Sequence, residues 1–269
     1  MAKAIYKGYR PVSHCRCCGE ASAVKLFGAD LLGRKVSYFD CSTCGYVQTE
    51  EPTWLGEAYA SSINASDTGI IVRNLSNVSL VLATLTLMGR RHSQVVDYGG
   101  GYGFLVRLLR DIGVDALWAD PYSENLVARG FEYQGGVVSL VTAFEAFEHF
   151  VSPPDEMEKL LGIAPNILLT TNIIADPAPE PGEWWYYGLD HGQHIGFYRK
   201  RTLQYLANRF GMNLLTDGKG THLFSSKAYS TSAWIILKKT AQWAPRLLKL
   251  SLSSKTWTDH LIIAKKVGQ

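Results

Sequence analysis

Four of the five cysteines fall into two Cys-x-x-Cys pairs, Cys15/Cys18 and Cys41/Cys44, with 22 residues between the pairs. Two such knuckles supply four thiolates to one tetrahedral zinc ion at ~2.3 Å each, and four thiolates leave no open coordination position, so the expected Zn2+ is structural. Gly19 and Gly45 each follow the second cysteine of a pair, where a turn that aims backbone N–H groups at thiolates needs a residue tolerant of φ > 0. Cys17 and His14 are left over. Disulfide pairing is the alternative reading, and it conflicts with the reducing cytoplasm expected for a chain whose Met1 to Arg10 stretch has no apolar export segment behind it.

A second group of residues suits nucleotide chemistry. Asp97-Tyr98-Gly99-Gly100-Gly101-Tyr102-Gly103 follows a short apolar run and fits D-x-G-x-G-x-G. Phe104 stands where a dehydrogenase fingerprint requires its third glycine, which disfavours NAD. Asp120, about 20 residues on, can accept hydrogen bonds from two ribose hydroxyls. Glu148-His149 lies just past another apolar run, at the rim where open α/β sheets bind ligands. A histidine there is suited to proton removal; the plainer reading is that the pair caps a helix.

The stretch from Trp184 to Tyr198 concentrates Trp184, Trp185, Tyr186, Tyr187, His191 and His194. It offers apolar faces for a ring or sugar and imidazoles for hydroxyl recognition, as a substrate lid would. The alternative is that the tryptophans plug a sheet edge and one histidine is a buried structural donor. Tyr59, with Asp67 and Arg73 behind it, is placed to close over the same region, or simply to pack.

The elements that position these residues emerge from periodicity. Glu50 to Leu87 reads as helical, with Val78 to Met88 a buried segment too short and too polar for a membrane span. Gln94 to Asp97 reads as a strand and Phe104 to Asp111 as a helix stopped by Gly113. Then come a strand (115–119), a short helix (123–129), a strand (137–142), a helix (155–161) and a strand (167–171). A helix over 202–210 and closing strands over 213–216 and 233–238 complete the pattern. This alternation predicts an α/β fold: a doubly wound, mostly parallel, Rossmann-like sheet of seven strands or slightly fewer. The expected division is a zinc ribbon (1–50), a helical linker or lid (51–92), the main core (93–240) and a basic, apolar extension (241–269).

At these motifs the chain resembles the class I S-adenosylmethionine-dependent methyltransferases over Gln94 to Lys239. The matching parts are the glycine loop, Ala119-Asp120-Pro121-Tyr122, and Leu140 to Phe150, which is similar to that family's fourth strand running into a Glu-His pair. The resemblance implies that Gly99, Gly101 and Gly103, with Tyr102 between them, let backbone approach the methionine moiety of S-adenosylmethionine. It implies that Asp97 helps hold the amino group, that Asp120 and the adjoining Pro121 meet the ribose, and that backbone at Ala143 and Phe144 lines the pocket. Between Asp120 and Val137 the chain is too short for a helix, strand and helix, so the family's third strand is expected to be reduced or missing, leaving Tyr122, Glu132 or Tyr133 toward adenine.

A ribbon, helical linker and such a core in this order resemble bacterial methyltransferases of sugar and polysaccharide biosynthesis, the deoxysugar C-methyltransferases included. That implies a nucleotide-linked sugar or glycan precursor as acceptor and His149, His191 or His194 as base, with Glu148 and Tyr59 as further catalytic candidates. An RNA base methyltransferase is the second reading and a non-catalytic zinc-ribbon binding protein the third. The 27 Lys and Arg against 24 Asp and Glu, net +3, are too mild to call for a nucleic-acid partner, although Lys238, Lys239, Arg246, Lys249, Lys255, Lys265 and Lys266 bias the tail. With 46% hydrophobic and 19% charged residues the chain is neither disordered nor a coiled coil.

Overall fold

The computed structural model describes residues 14–59, 67–243 and 252–267. The Met1 to Arg10 stretch and the tail cations Arg246 and Lys249 lie outside the described residues. β1 (Ala23–Leu31) and β2 (Arg34–Cys41) form a hairpin closed by Leu32 and Gly33, both at positive φ (51° and 73°), a two-residue turn whose twist suits the strands it joins. β3 (Val47–Thr49) pairs with β2, and its other edge pairs with β8 (Gly196–Phe197), two residues of the aromatic loop. The four-stranded sheet thus crosses the boundary expected at residue 50. Its inner face packs Tyr38, Val47, Tyr187 and Phe197 together, all fully buried.

α1 (Leu55–Ala58) and α2 (Ile70–Leu87) lead to the second sheet. α2 is long and apolar enough, by length and composition, to cross a bilayer. Its segment from Val78 to Leu85 is instead spent on the protein's own core, and Thr84 accepts a hydrogen bond from Trp234 Nε1 at 3.0 Å.

The main sheet has six strands: β4 (Val95–Tyr98), β5 (Ala116–Ala119), β6 (Leu140–Phe144), β7 (Asn166–Thr170), β9 (Asn213–Thr216) and β10 (Thr221–Ser225). Their order is β5-β4-β6-β7-β10-β9, parallel as far as β7, with β10 antiparallel to both neighbours. Val95, Val96, Leu140, Val141, Ile167, Leu168 and Leu169 are fully buried. Such unbroken apolar runs are what strands covered on both faces require. α3 (Phe104–Asp111), α4 (Pro153–Ile163) and α5 (Lys200–Arg209) provide the covering. This is the doubly wound α/β architecture expected, with one strand fewer than seven.

Two local expectations are corrected. The short helix expected over 123–129 is absent, because side chains satisfy the backbone first. Asp120 Oδ1 accepts from Tyr122 N and Ser123 N (2.7 and 2.9 Å), and Asn125 Oδ1 accepts from Ala128 N (2.9 Å), local bonds that compete with a helical ladder. The family's third strand is reduced, as expected, to a single parallel bridge, Trp118 to Glu132. Finally, residues 233–238 are not a strand but part of α6 (Thr231–Trp243), while the strand between β7 and β9 is β10. A short apolar run does not distinguish helix from strand, and β10 carries buried His222 and Ser225 that mask its pattern.

The tail returns to the core. α7 (Thr256–Val267) places Asp259 against α3, where Arg110 binds it through Nε and Nη2 (2.8 Å each) and Arg107 adds a third bond of 2.8 Å. The Arg110 guanidinium also lies 3.7 Å over the Phe131 ring. Burial pushes the Asp259 carboxyl up, but the two guanidinium groups outweigh it and hold it below the ordinary aspartate range.

Candidate functional site

The glycine loop leaves β4 and caps α3. Gly99, Gly101 and Gly103 all adopt positive φ (71°, 53° and 89°), which a side chain would disfavour. They differ in what surrounds them. Nothing lies within 4 Å of a Cβ built on Gly101, whereas one on Gly103 would come 2.7 Å from Asn125 Oδ1. Gly101 therefore faces open space and Gly103 serves close packing. Asp120 Oδ2 accepts the Gly101 N–H at 2.8 Å, and Trp118 Nε1 donates to the Gly101 carbonyl at 2.8 Å. These bonds fix the loop against the end of β5.

Gly99, Gly101, Asp120, Pro121 and Tyr122 form one wall of a cavity of about 1120 Å³, at the upper end of ordinary ligand pockets. Tyr59, His149, His191 and His194 line the same cavity, with Glu145 and Ala146 from the turn after β6. Asp97, Tyr102, Gly103, Ala143, Phe144 and Glu148 are not part of its lining. Asp97 sits beneath the loop: its Oδ1 accepts from Thr142 Oγ1 at 2.6 Å, and burial raises its pKa to about 7. Phe144 ends β6, and the cavity is reached one residue later, at Glu145.

Glu145 is a residue that sequence reasoning missed. It has φ 49°, its Oε1 accepts from Thr170 Oγ1 at 2.7 Å, and burial followed by the neighbouring Glu148 charge raises its pKa to about 7. Positive φ is uncommon for a residue with a side chain, and no sequence pattern reports it. Arg73, Glu156 and Lys159 also line the cavity without having been singled out as site residues; Arg73 pairs with Asp67 at 2.5 Å and Lys159 with Glu156 at 2.6 Å. With both cations paired and Asp120, Glu145, Asp155 and Asp190 also in the wall, the cavity is acidic and favours a cationic guest.

The imidazoles form a row. His149 and His194 have ring centroids 4.9 Å apart, and His194 and His191 4.7 Å apart. His149 Nδ1 hydrogen-bonds the Tyr59 hydroxyl at 2.6 Å, and its Nε2 lies 3.9 Å from Glu148 Oε1. His194 Nδ1 donates to the Tyr186 carbonyl at 2.6 Å, and His191 Nδ1 accepts from Gln193 N at 3.1 Å. Burial lowers all three pKa values, His149 furthest, so the rings are neutral. Behind them Glu148 is fully buried; Tyr186 Oη donates to its Oε1 at 2.7 Å, and burial raises its pKa to about 7.

The aromatic loop is tied to the α1 segment by two hydrogen bonds. Trp54 Nε1 donates to the Gly192 carbonyl and Gln193 Nε2 to the Ala58 carbonyl, both at 2.8 Å. Trp184 packs inward, while Trp185, 78% exposed, lines the cavity, as does Tyr122, 83% exposed.

The four paired cysteines converge in the ribbon. One sulfur from each lies within 4.8 Å of the others, and Cys15–Cys44 and Cys18–Cys41 are 3.6 Å apart. A tetrahedron of ~2.3 Å Zn–S bonds has edges of ~3.8 Å, whereas a disulfide needs ~2.05 Å; the cluster fits zinc and the cysteines are free thiols. Gly19 and Gly45 adopt positive φ (83° and 77°), and their amides bond back to the Cys15 and Cys41 carbonyls at 2.8 Å.

Residues 73–217, more than half of the chain, match the family described as methyltransferase domain. None of the curated proteins matches. Among solved structures, 1,6-didemethyltoxoflavin-N1-methyltransferase from Burkholderia thailandensis is similar with a TM-score of 0.49 and 12% identity, over 71% of this chain and 93% of that one. An O-methyltransferase family protein from the same organism gives 0.44 and 16%, over 65% and 68%. Magnesium protoporphyrin IX methyltransferase from Synechocystis PCC 6803 gives 0.42 and 16%, over 64% and 94%.

Proposed function

The chain belongs to the methyltransferase-domain family and is a methyltransferase, and on that premise we propose that it transfers a methyl group from S-adenosylmethionine to a small, hydroxyl-rich acceptor resembling a sugar. The observation that carries this is one cavity in which the glycine loop and Asp120 face Tyr59, Glu145, His149 and His194. When bound, the donor supplies an electrophilic methyl on a positively charged sulfur.

The residues divide the work. Asp120 Oδ1 accepts from two backbone N–H groups and Oδ2 from one, so Oδ2 keeps a lone pair that suits it to a ribose hydroxyl. Gly99 and Gly101 leave room for backbone to approach the amino-acid end, and the acidic wall suits a sulfonium. Asp97, out of the cavity, braces the loop from below. On the acceptor side, Trp185 presents a ring face, and carboxylates and imidazoles accept from hydroxyls. In-line displacement then depends mainly on alignment, and proton removal falls to the Glu145–His149–His194 side. The ribbon holds a structural Zn2+ on Cys15, Cys18, Cys41 and Cys44, and the free thiols suit a cytoplasmic protein.

The test is calorimetric titration with S-adenosylhomocysteine beside NADH, followed by a screen of nucleotide-linked sugars with labelled donor. Binding of the first ligand alone and label transfer to a sugar support the proposal. Cofactor binding with transfer only to aromatic or nitrogen acceptors would overturn its sugar-like part.

A further inference from the structure

The row of neutral imidazoles ends on a buried carboxylate, and these groups are arranged in a way that proton removal does not require. Glu148 Oε2 is buried without any hydrogen-bond partner in a residue that is itself fully buried. An unsatisfied carboxylate oxygen at such depth is costly and calls for an explanation. His194 supplies part of one. A carbonyl oxygen only accepts, so the 2.6 Å contact with Tyr186 O puts the proton on Nδ1 and leaves the Nε2 lone pair free. In His149, Nδ1 is engaged by the Tyr59 hydroxyl, which can donate or accept, and Nε2 is the nitrogen turned to Glu148.

We propose that Glu148, His149 and His194 form a binding site for a divalent transition-metal cation at the wall of the acceptor cavity. One donor atom from each lies within 4.8 Å of the others. The 3.9 Å between His149 Nε2 and Glu148 Oε1 compares with ~3.4 Å for two ligands of a tetrahedral ion at ~2.1 Å, a gap that small side-chain rotations close. Ligating imidazoles are held by a hydrogen bond on their other nitrogen, as both are here, and a ligating carboxylate is itself hydrogen-bonded. Tyr186 holds two of the three ligands, His194 through its carbonyl and Glu148 through its hydroxyl.

Two imidazoles and one carboxylate suit manganese, iron, cobalt or zinc better than the all-oxygen preference of magnesium or calcium. His149 and His194 line the cavity, so the remaining coordination positions open toward the acceptor. The cation's role rests on the methyl-transfer reading, although the site itself does not. A bound acceptor hydroxyl would lose its proton to the Glu145 carboxylate in the same wall. Its oxygen would then form the new O–C bond as the C–S bond of the donor breaks with the pair going to sulfur, the cation lowering the hydroxyl pKa throughout.

The experiment uses the full chain with its ribbon zinc-loaded. MnCl2 is titrated by calorimetry and electron paramagnetic resonance, with S-adenosylhomocysteine titrated in a parallel sample. One Mn2+ per chain with nitrogen hyperfine coupling is expected, abolished in His194→Ala and Glu148→Gln and retained in His191→Ala. Tyr59→Phe removes only the partner of a ligand and should weaken binding roughly tenfold or more. No Mn2+ or extra Zn2+ in folded protein, or binding unchanged in Glu148→Gln and His194→Ala, would overturn the site. S-adenosylhomocysteine binding without Mn2+ would refute the cation and leave the methyl-transfer reading standing; the reverse would do the opposite.

Discussion

Arg199 and Asp40 face each other in a two-pronged ion pair, Nη1 to Oδ1 at 2.7 Å and Nη2 to Oδ2 at 2.8 Å, that bolts the cysteine ribbon to the methyltransferase core. Arg199 also donates to the Gly45 carbonyl at 2.9 Å, next to the second knuckle. Because β8 completes the ribbon sheet, the two parts share strands as well as charges. Asp40→Ala leaves a guanidinium that is 5% exposed with only the exposed Asp176, 3.5 Å from its Nε, as counter-charge, and should cost about 2 kcal/mol in urea unfolding. Chelating the zinc should lower the stability of the whole chain in one cooperative transition. A separate low-stability ribbon transition, or a loss below ~1 kcal/mol for Asp40→Ala, would contradict this coupling.

The glycine loop makes a contrasting pair of predictions. Gly101→Ala and Gly103→Ala both force a left-handed residue, at ~1–2 kcal/mol each. Only Gly103→Ala also meets packed atoms, Asn125 Oδ1 at 2.7 Å, so its melting temperature should fall further. Gly101→Ala projects a methyl into the cavity and should weaken S-adenosylhomocysteine binding at least tenfold, the larger binding effect of the two. Equal effects on binding and stability in both variants would show that the distinction between facing and packing glycines is wrong.

The docked tail is testable through Asp259. Asp259→Asn removes the charge that Arg107 and Arg110 share, and should cost ~2 kcal/mol, since buried Arg110 keeps Asp115 at 2.8 Å and Arg107 keeps Asp111 at 3.0 Å. Limited proteolysis should then release α7 before the core is cut. Resistance equal to that of the parent chain would contradict a docked tail.

Asp97 sets a pH dependence. Its folded pKa of about 7 lies above the ordinary aspartate value of 3.8 because of burial. The folded state therefore binds the proton more tightly, and the associated stability is complete below pH ~4 and is lost as pH rises through 7. Asp97→Asn does not titrate, so its stability relative to the parent should rise from pH 4 to 7, by roughly 4 kcal/mol at most. Thermal melts of ligand-free protein across that range measure it, and a pH-independent difference would contradict a buried, protonated Asp97.

Much of the molecule is legible in the order of its residues. The Cys-x-x-Cys spacing specifies four converging thiolates, and the helix at Phe104–Asp111 is set by periodicity and Gly113. The shortened segment after Asp120 is countable from chain length alone. What the chain does not disclose depends on groups meeting across the fold. The engagement of β8 with β3 joins residues about 150 positions apart. Glu145 is marked by a positive φ, the tautomer of His194 is set by the Tyr186 carbonyl of the aromatic loop, and His149 is engaged by Tyr59 from the end of α1. Ala233 to Lys238 defeats periodicity because Trp234, Ile235, Ile236 and Leu237 suit either period, and packing against α2 decides for helix.

The most direct test of the account is calorimetric titration of the zinc-loaded protein with S-adenosylhomocysteine, repeated on Asp120→Ala. One site per chain is expected, with no response to NADH and affinity weakened roughly 10- to 100-fold by the substitution, as the loss of a charge-assisted hydrogen bond to a ribose hydroxyl and of the brace on Gly101 implies. A folded protein that binds neither ligand, or binds S-adenosylhomocysteine equally well without Asp120, would contradict the assignment of this cavity.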